Sequence, residues 1–174
     1  MQKNCRVIWL YGRPCSGKTT IGNKLIELLS GEYHKVFFID ADYLRIGLNR
    51  DLGFSMDDRF ENIRRAAEMA TFIALKGDTT VICAFITPLK ALRELAKSIA
   101  DRNGVPFYPV YIDTPLEECI HRDVKGHYNS ARHGTMVQFT GISSPFEEPE
   151  PDEIRISTFQ VTPEECARII LSGG

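Results

Sequence analysis

The sequence predicts an α/β protein, a mostly parallel β-sheet with helices on both faces, and three observations predict it. Four short runs are apolar on consecutive positions, as strands buried on both faces of a parallel sheet read. Stretches of helical period separate them, the order expected of βαβ units. A glycine-containing turn joins the first run to the first such stretch.

The strands are expected at Val7–Tyr11, Val36–Ile39, Thr80–Phe85 and Phe107–Ile112, with the weaker alternating run Glu153–Ser157 as a fifth, edge strand. Lys18–Ser30 is helical, with Ile21, Leu25, Ile26, Leu28 and Leu29 apolar and Gly31 as its stop. Met56–Leu75 repeats Ile63, Ala66, Ala67, Ala70, Ile73 and Ala74 at helical spacing, behind a capping signal at Ser55-Met56-Asp57-Asp58. Pro88–Ala100 has Thr87 as its expected N-cap and Pro88 at the favoured first position. Thr114-Pro115 repeats that signal for a helix reaching about Val124, and Pro163–Leu171 is a last short helix. Lys125–Thr140 is polar and without period, a long loop and a lid candidate. Pro145–Glu153 holds three prolines and several acids, and is expected as a solvated connection.

The 174 residues suit a single domain spanning 1–174, since a domain takes roughly 100–200 residues. With 43% hydrophobic and 25% charged residues the composition is that of a globular protein, not a disordered or collagen-like one. A formal net charge of −2 is no electrostatic footprint for nucleic acid, so a small dissolved substrate is expected. The five cysteines are scattered without metal-site spacing and read as reduced thiols. The longest apolar run, the six residues Val81–Ile86, is far short of the roughly 20 that span a bilayer. No signal-peptide pattern precedes the first strand. Together these point to the cytoplasm, without a membrane partner.

Gly12-Arg13-Pro14-Cys15-Ser16-Gly17-Lys18-Thr19 fits G-x-x-x-x-G-K-[ST] at every fixed position. The expected fold is therefore P-loop NTPase-like, in three layers. Glycines let the backbone curl so that successive N–H groups face one anion, and the helix N-terminus adds partial positive charge. ATP with Mg²⁺ is the expected ligand, held by Gly12 through Thr20, with Lys18 on the β/γ-phosphates and Thr19 on the metal. Cys15 is either a small filler of the loop or a thiol activated by the helix N-terminus.

No Asp ends the third strand, but Ile39-Asp40 and Ile112-Asp113 end two others. Asp113 stands directly before a helix start and reads as a turn or capping residue. Asp40 emerges at the carboxyl edge of a parallel sheet, where ligands bind, and is expected to act as general base or through Mg²⁺. Asp42 is a second catalytic candidate, its alternative being a helix N-cap. An acid at this place, with a P-loop, suggests a small-molecule kinase.

The chain resembles the adenylyl-sulfate (APS) kinase family along nearly its whole length. The blocks that carry the resemblance are Asp40–Arg45, Gly47-Leu48-Asn49, Asp51–Ser55, Asp58–Arg65, Ala84–Pro88, Asp113–Leu116, Arg122–Gly126, Phe139–Ile142 and Ser144–Glu147. The resemblance implies ATP-dependent phosphorylation of the ribose 3′-hydroxyl of APS, giving 3′-phosphoadenylyl sulfate (PAPS) and ADP. It implies that Phe54 and Phe139 stack on the substrate adenine, and that Asp42, Arg45, Arg59 and Asn62 hold its ribose and phosphosulfate side. It further implies that Ile86 and Thr87 line the pocket and that Lys125 meets substrate near the lid. A homodimer and a functional pairing with ATP sulfurylase are implied as well. Two departures stand out: Ala41 replaces the family's glycine, which strains the chain if that position needs a positive φ, and Thr87 replaces a serine. Thr87 is expected to cap its helix in preference to carrying a phosphate. The alternatives are a kinase for another nucleotide's ribose and a non-catalytic nucleotide-binding subunit.

Overall fold

A computed structural model describes residues 5–30, 35–123, 126, 128, 145–151 and 153–173. Its strands are β1 (Arg6–Tyr11), β2 (Val36–Asp40), β3 (Thr80–Phe85), β4 (Phe107–Asp113) and β5 (Ile154–Ser157). Its helices are α1 (Lys18–Ser30), α2 (Ala41–Ile46), α3 (Met56–Gly77), α4 (Lys90–Arg102), α5 (Leu116–Arg122) and α6 (Pro163–Ser172). The strands form one sheet in the order β2-β3-β1-β4-β5, with every pairing parallel.

Alternation along β1 divides the interior in two. Val7, Trp9 and Tyr11 face one core with Val81, Cys83, Phe85 and the apolar sides of α3 and α4. Ile8 and Leu10 face the other, with Ile82, Val110, Ile112, α1 and α6. The first core is the more aromatic: Trp9 stacks on Phe85 at 4.8 Å between ring centres. This gives the three expected layers, and it aligns the carboxyl ends of β1, β2, β3 and β4 along one edge.

Several local expectations change. β2 is an edge strand, and Phe37 is 47% exposed, because only β3 pairs with it. Helix α2 follows Asp40 directly, a turn and a half that no periodic pattern announces. Ala41 opens it and is absent from the residues with positive φ, so alanine strains nothing there.

Thr87 does not cap α4. That helix begins at Lys90, and its first N–H donates instead to the carboxylate of Glu147, far along the chain. Thr87 is buried, with φ 40°, and its hydroxyl accepts the Trp9 indole N–H at 2.9 Å. Thr114 is also buried, and its hydroxyl donates to Ser16 O at 2.8 Å, while α5 starts at Leu116 without a side-chain cap. Asp113 caps nothing and pairs with Arg155 at 3.2 Å.

The connection before β5 is packed and not merely solvated. Phe146 lies 5.7 Å from the Tyr111 ring, and buried Arg93 donates to the carbonyls of Glu147 and Glu148. Gly31 and all but two residues of the lid candidate 125–140 lie outside the described residues. Among the described residues no helix is long and apolar enough to cross a membrane.

Candidate active site

The turn Gly12–Thr19 sits where β1 leaves the sheet between β3 and β4. Gly12 has φ 153°, and a Cβ there would meet Ile112 O at 2.7 Å, so only glycine lets the loop pass this close to β4. Gly17 has φ 98°, a conformation that other residues rarely hold. Cys15 also has positive φ, at 59°, and sits half-buried between the loop and Cys119 of α5. Pro14 and Ser16 are buried, and Thr20 is exposed on the first turn of α1.

The loop's carbonyls are bonded from behind. Tyr128 donates its hydroxyl to Pro14 O at 3.1 Å, and Thr114 holds Ser16 O. Lys18 donates its ammonium to Gly12 O at 3.0 Å and Arg13 O at 2.6 Å. With these carbonyls held, the first-turn amides of α1 are left to face an anion. Burial pulls the Lys18 pKa down to about 8, against the nearby thiols of Cys119 and Cys15 and the carboxylates of Asp40 and Asp42. An arriving phosphate would restore the charge. The side chain of Arg13 turns elsewhere: it lies over the Phe146 ring at 4.9 Å and donates to Tyr111 Oη. Arg13 therefore enters the cradle through its backbone.

Asp40 stands at the carboxyl end of β2 and joins two parts of the site. Its Oδ2 accepts the Thr19 hydroxyl at 2.8 Å, and its Oδ1 accepts the Asp42 N–H at 2.9 Å, capping α2. The sequence offered no structural duty for Asp40; the fold gives it this one. Thr19 Oγ1 and the Asp40 carboxylate are adjacent, exposed oxygen donors, a set that suits Mg²⁺, which takes few protein ligands and completes its shell with phosphates and water.

Beyond Asp40, three of the expected acceptor residues, Arg45, Phe54 and Arg59, meet. Arg45 lies over the Phe54 ring at 4.4 Å and donates to Gly53 O at 3.0 Å, and Arg59 donates to Phe54 O at 3.1 Å. Burial, and for Arg45 also the neighbouring Arg59 charge, lowers the pKa of both guanidiniums. Two guanidiniums held on carbonyls thus stand beside an exposed aromatic ring, a pairing of positive charge with a ring face. Asn62 is buried on α3, its Oδ1 accepting from Asn49 Nδ2 at 2.9 Å. Ile86 is half-buried at the end of β3, its carbonyl accepting the Gly12 N–H, next to Thr87. Lys125 and Phe139 lie outside the described residues.

Sequence reasoning assigned no part in the site to Thr114, Tyr128, Cys119 or Asn49. Thr114 carried a signal, its Thr-Pro pair, but that signal named a different duty. Nothing in the local pattern marks Tyr128.

Residues 4–157 match the family model for adenylylsulphate kinase. The chain belongs to the adenylylsulphate kinase family. It is 43% identical to adenylyl-sulfate kinase of Saccharomyces cerevisiae over 169 residues, 97% of this chain and 83% of that one. It is 45% identical to the bifunctional enzyme NodQ of Azospirillum brasilense over 152 residues, 87% of this chain but only 24% of NodQ, so it spans about a quarter of that relative's length. Its fold is that of the Mycobacterium tuberculosis APS kinase CysC in complex with AMPPNP and APS. The two share a TM-score of 0.92 and 36% identity, covering 96% of this chain and 95% of that one. The family's P-loop thus follows β1 here, beside Asp40 of β2.

Proposed function

We propose that this member of the adenylylsulphate kinase family transfers the γ-phosphoryl group of ATP to the 3′-hydroxyl of adenylyl sulfate, giving PAPS and ADP. The observation that carries the reading is the junction at Asp40. One carboxylate bonds to the P-loop's Thr19 and caps the helix that carries Arg45. Donor and acceptor sites thereby share a wall.

The chain's own residues account for the chemistry. The cradle amides and Lys18 hold the β- and γ-phosphates and stabilise the charge that spreads over the transferring group. Thr19 and Asp40 would hold Mg²⁺, which supplies charge neutralisation between the phosphates when bound. Arg45, Arg59 and Asn62 take the phosphosulfate and ribose, and Phe54 takes one face of the adenine. Lys125 and Phe139 belong to the same substrate set, Phe139 on the opposite adenine face. Ile86 and Thr87 form the pocket wall. Asp40, with Asp42 beside it, orients the 3′-hydroxyl and receives its proton as the O–P bond forms and ADP leaves. Thr87 serves as wall and not as phosphate carrier, since its hydroxyl is buried on the Trp9 indole.

A homodimer and a working association with ATP sulfurylase complete the proposal. That the much longer NodQ relatives are bifunctional supports an association with a second activity.

The test is ADP release with MgATP and purified adenylyl sulfate, with AMP, CMP and no acceptor run in parallel and the product identified by mass spectrometry. ADP matched by PAPS is the expected result. ADP formed only with another acceptor, or PAPS absent despite ATP binding, would overturn the reading.

A further inference from the structure

Asn49 has no part in the reading above, yet it is fully buried in the turn after α2. Its backbone N–H donates to Leu44 O at 2.8 Å, and Arg65 of α3 pins the same turn through Leu48 O at 3.1 Å and the Asp51 carboxylate at 2.8 and 2.9 Å. From this fixed position Asn49 Nδ2 donates to Asn62 Oδ1 at 2.9 Å, while Asn49 Oδ1 has no hydrogen-bond partner among the described residues. A buried acceptor without a donor destabilises the fold, and an apolar side chain of similar size would remove this orphan only by leaving Asn62 Oδ1 without its donor. Its own hydrogen bonding within the turn therefore does not explain an asparagine side chain here.

The amide it holds does. A carboxamide has an accepting end and a donating end, and Asn49 occupies the accepting end of Asn62. Among the described residues no hydrogen bond uses Asn62 Nδ2, so the donating end is the one left for a ligand. We infer that Asn49 is a positioning residue, which locks the Asn62 amide with its N–H groups toward the acceptor pocket so that the pocket selects a ligand presenting an acceptor atom there. This inference rests on the placement of Asn62 in the adenylyl sulfate site.

Two variants separate this role from packing. Asn49→Asp keeps the shape but removes the donor, so Asn62 must turn its amide around to pair with it. Asn49→Leu removes the donor and the orphan acceptor together, and leaves Asn62 Oδ1 without its partner. Adenylyl sulfate is titrated calorimetrically into each enzyme saturated with AMPPNP and Mg²⁺, and the AMPPNP affinity is measured separately. Both variants are expected to bind adenylyl sulfate about tenfold more weakly with AMPPNP affinity unchanged, about the loss of one hydrogen bond. Asn49→Leu exchanges one orphan acceptor for another, so its unfolding temperature is expected near that of wild type. Added to Asn62→Ala, it should cost little more, since the two residues act as one unit. Wild-type affinity in both Asn49 variants beside a weakened Asn62→Ala would overturn the inference alone, as would additive losses in the double variant. Normal binding by Asn62→Ala would remove the placement of Asn62, and the inference with it. If Asn49→Leu does not fold, Asn49→Asp decides.

Discussion

The phosphate cradle and the acceptor pocket lie side by side and are built in opposite ways. The cradle is one contiguous turn, Gly12–Thr19, whose ligands are backbone amides and whose carbonyls are bonded from behind by Lys18, Thr114 and Tyr128. The proposed acceptor pocket draws on α2, the turn after it and α3, and what it would offer a ligand is side chains. Phe54 is 61% exposed there, with Arg45 against its face. The first region is one loop whose carbonyls are bonded both by its own Lys18 and by distant Thr114 and Tyr128. The second is an open wall of charge and ring surface that depends on two helices keeping their spacing. Changes in the cradle should therefore fall on turnover, and changes in the pocket on acceptor affinity alone.

Asp40 belongs to both regions, so its loss should have the largest effect. Asp40→Asn keeps a capping side chain, which spares α2. It removes the proton acceptor and the negative metal-side oxygen, and turnover should fall about 10³-fold or more. AMPPNP affinity should stay within a few-fold; an equal loss of nucleotide binding would mean that Asp40 serves the cradle alone.

Next comes Lys18→Ala, expected to lower kcat by about 10²–10³-fold, the usual loss for a charge-stabilising donor. Steady-state kinetics at saturating adenylyl sulfate check it, and a loss confined to the KM of adenylyl sulfate would contradict the division of labour.

Phe54→Ala should weaken adenylyl sulfate about tenfold, the worth of a stacked base. Calorimetry with AMPPNP present measures this, and AMPPNP binding itself should not move. A matching loss in AMPPNP affinity would erase the boundary between the two regions.

The smallest effect is a proton. Burial disfavours the Lys18 charge in the folded chain and lowers its pKa to about 8, against the ordinary 10.5 of a free lysine. Between those values the unfolded chain binds more protons, so stability should rise with pH across that window, with the full penalty present below about 8. Phosphates entering the cradle restore the charge, so MgATP binding at pH 8.5 should take up a fraction of a proton. Calorimetry in buffers of different ionisation enthalpy reads this, and Lys18→Met should abolish it.

Three Thr-Pro pairs show how far local pattern reaches. Thr162-Pro163 does what the pattern promises: Thr162 and Glu165 form a reciprocal capping box and Pro163 opens α6. Thr87-Pro88 and Thr114-Pro115 carry the same signal and cap nothing. Thr162 is exposed, and its hydroxyl has only its own helix to bond. Thr87 and Thr114 are buried at the strand ends, where the Trp9 indole and the Ser16 carbonyl compete for them. Helix α2 escaped the pattern for a related reason: it has no buried residue of its own and depends on Asp40 as its cap.

By itself the sequence determined the parallel sheet, the two helical layers and the phosphate cradle. Each rests on interactions within a few residues: the period of apolar side chains, the φ of Gly12 and Gly17, the amides at a helix start. Only the tertiary structure decided that β2 is an edge, that Glu147 and not Thr87 caps α4, and that Asp40 both caps α2 and accepts from Thr19. It alone decided that Asn49 holds Asn62. Those outcomes turn on which donor meets which acceptor across the sheet edge, and that depends on how separate elements pack.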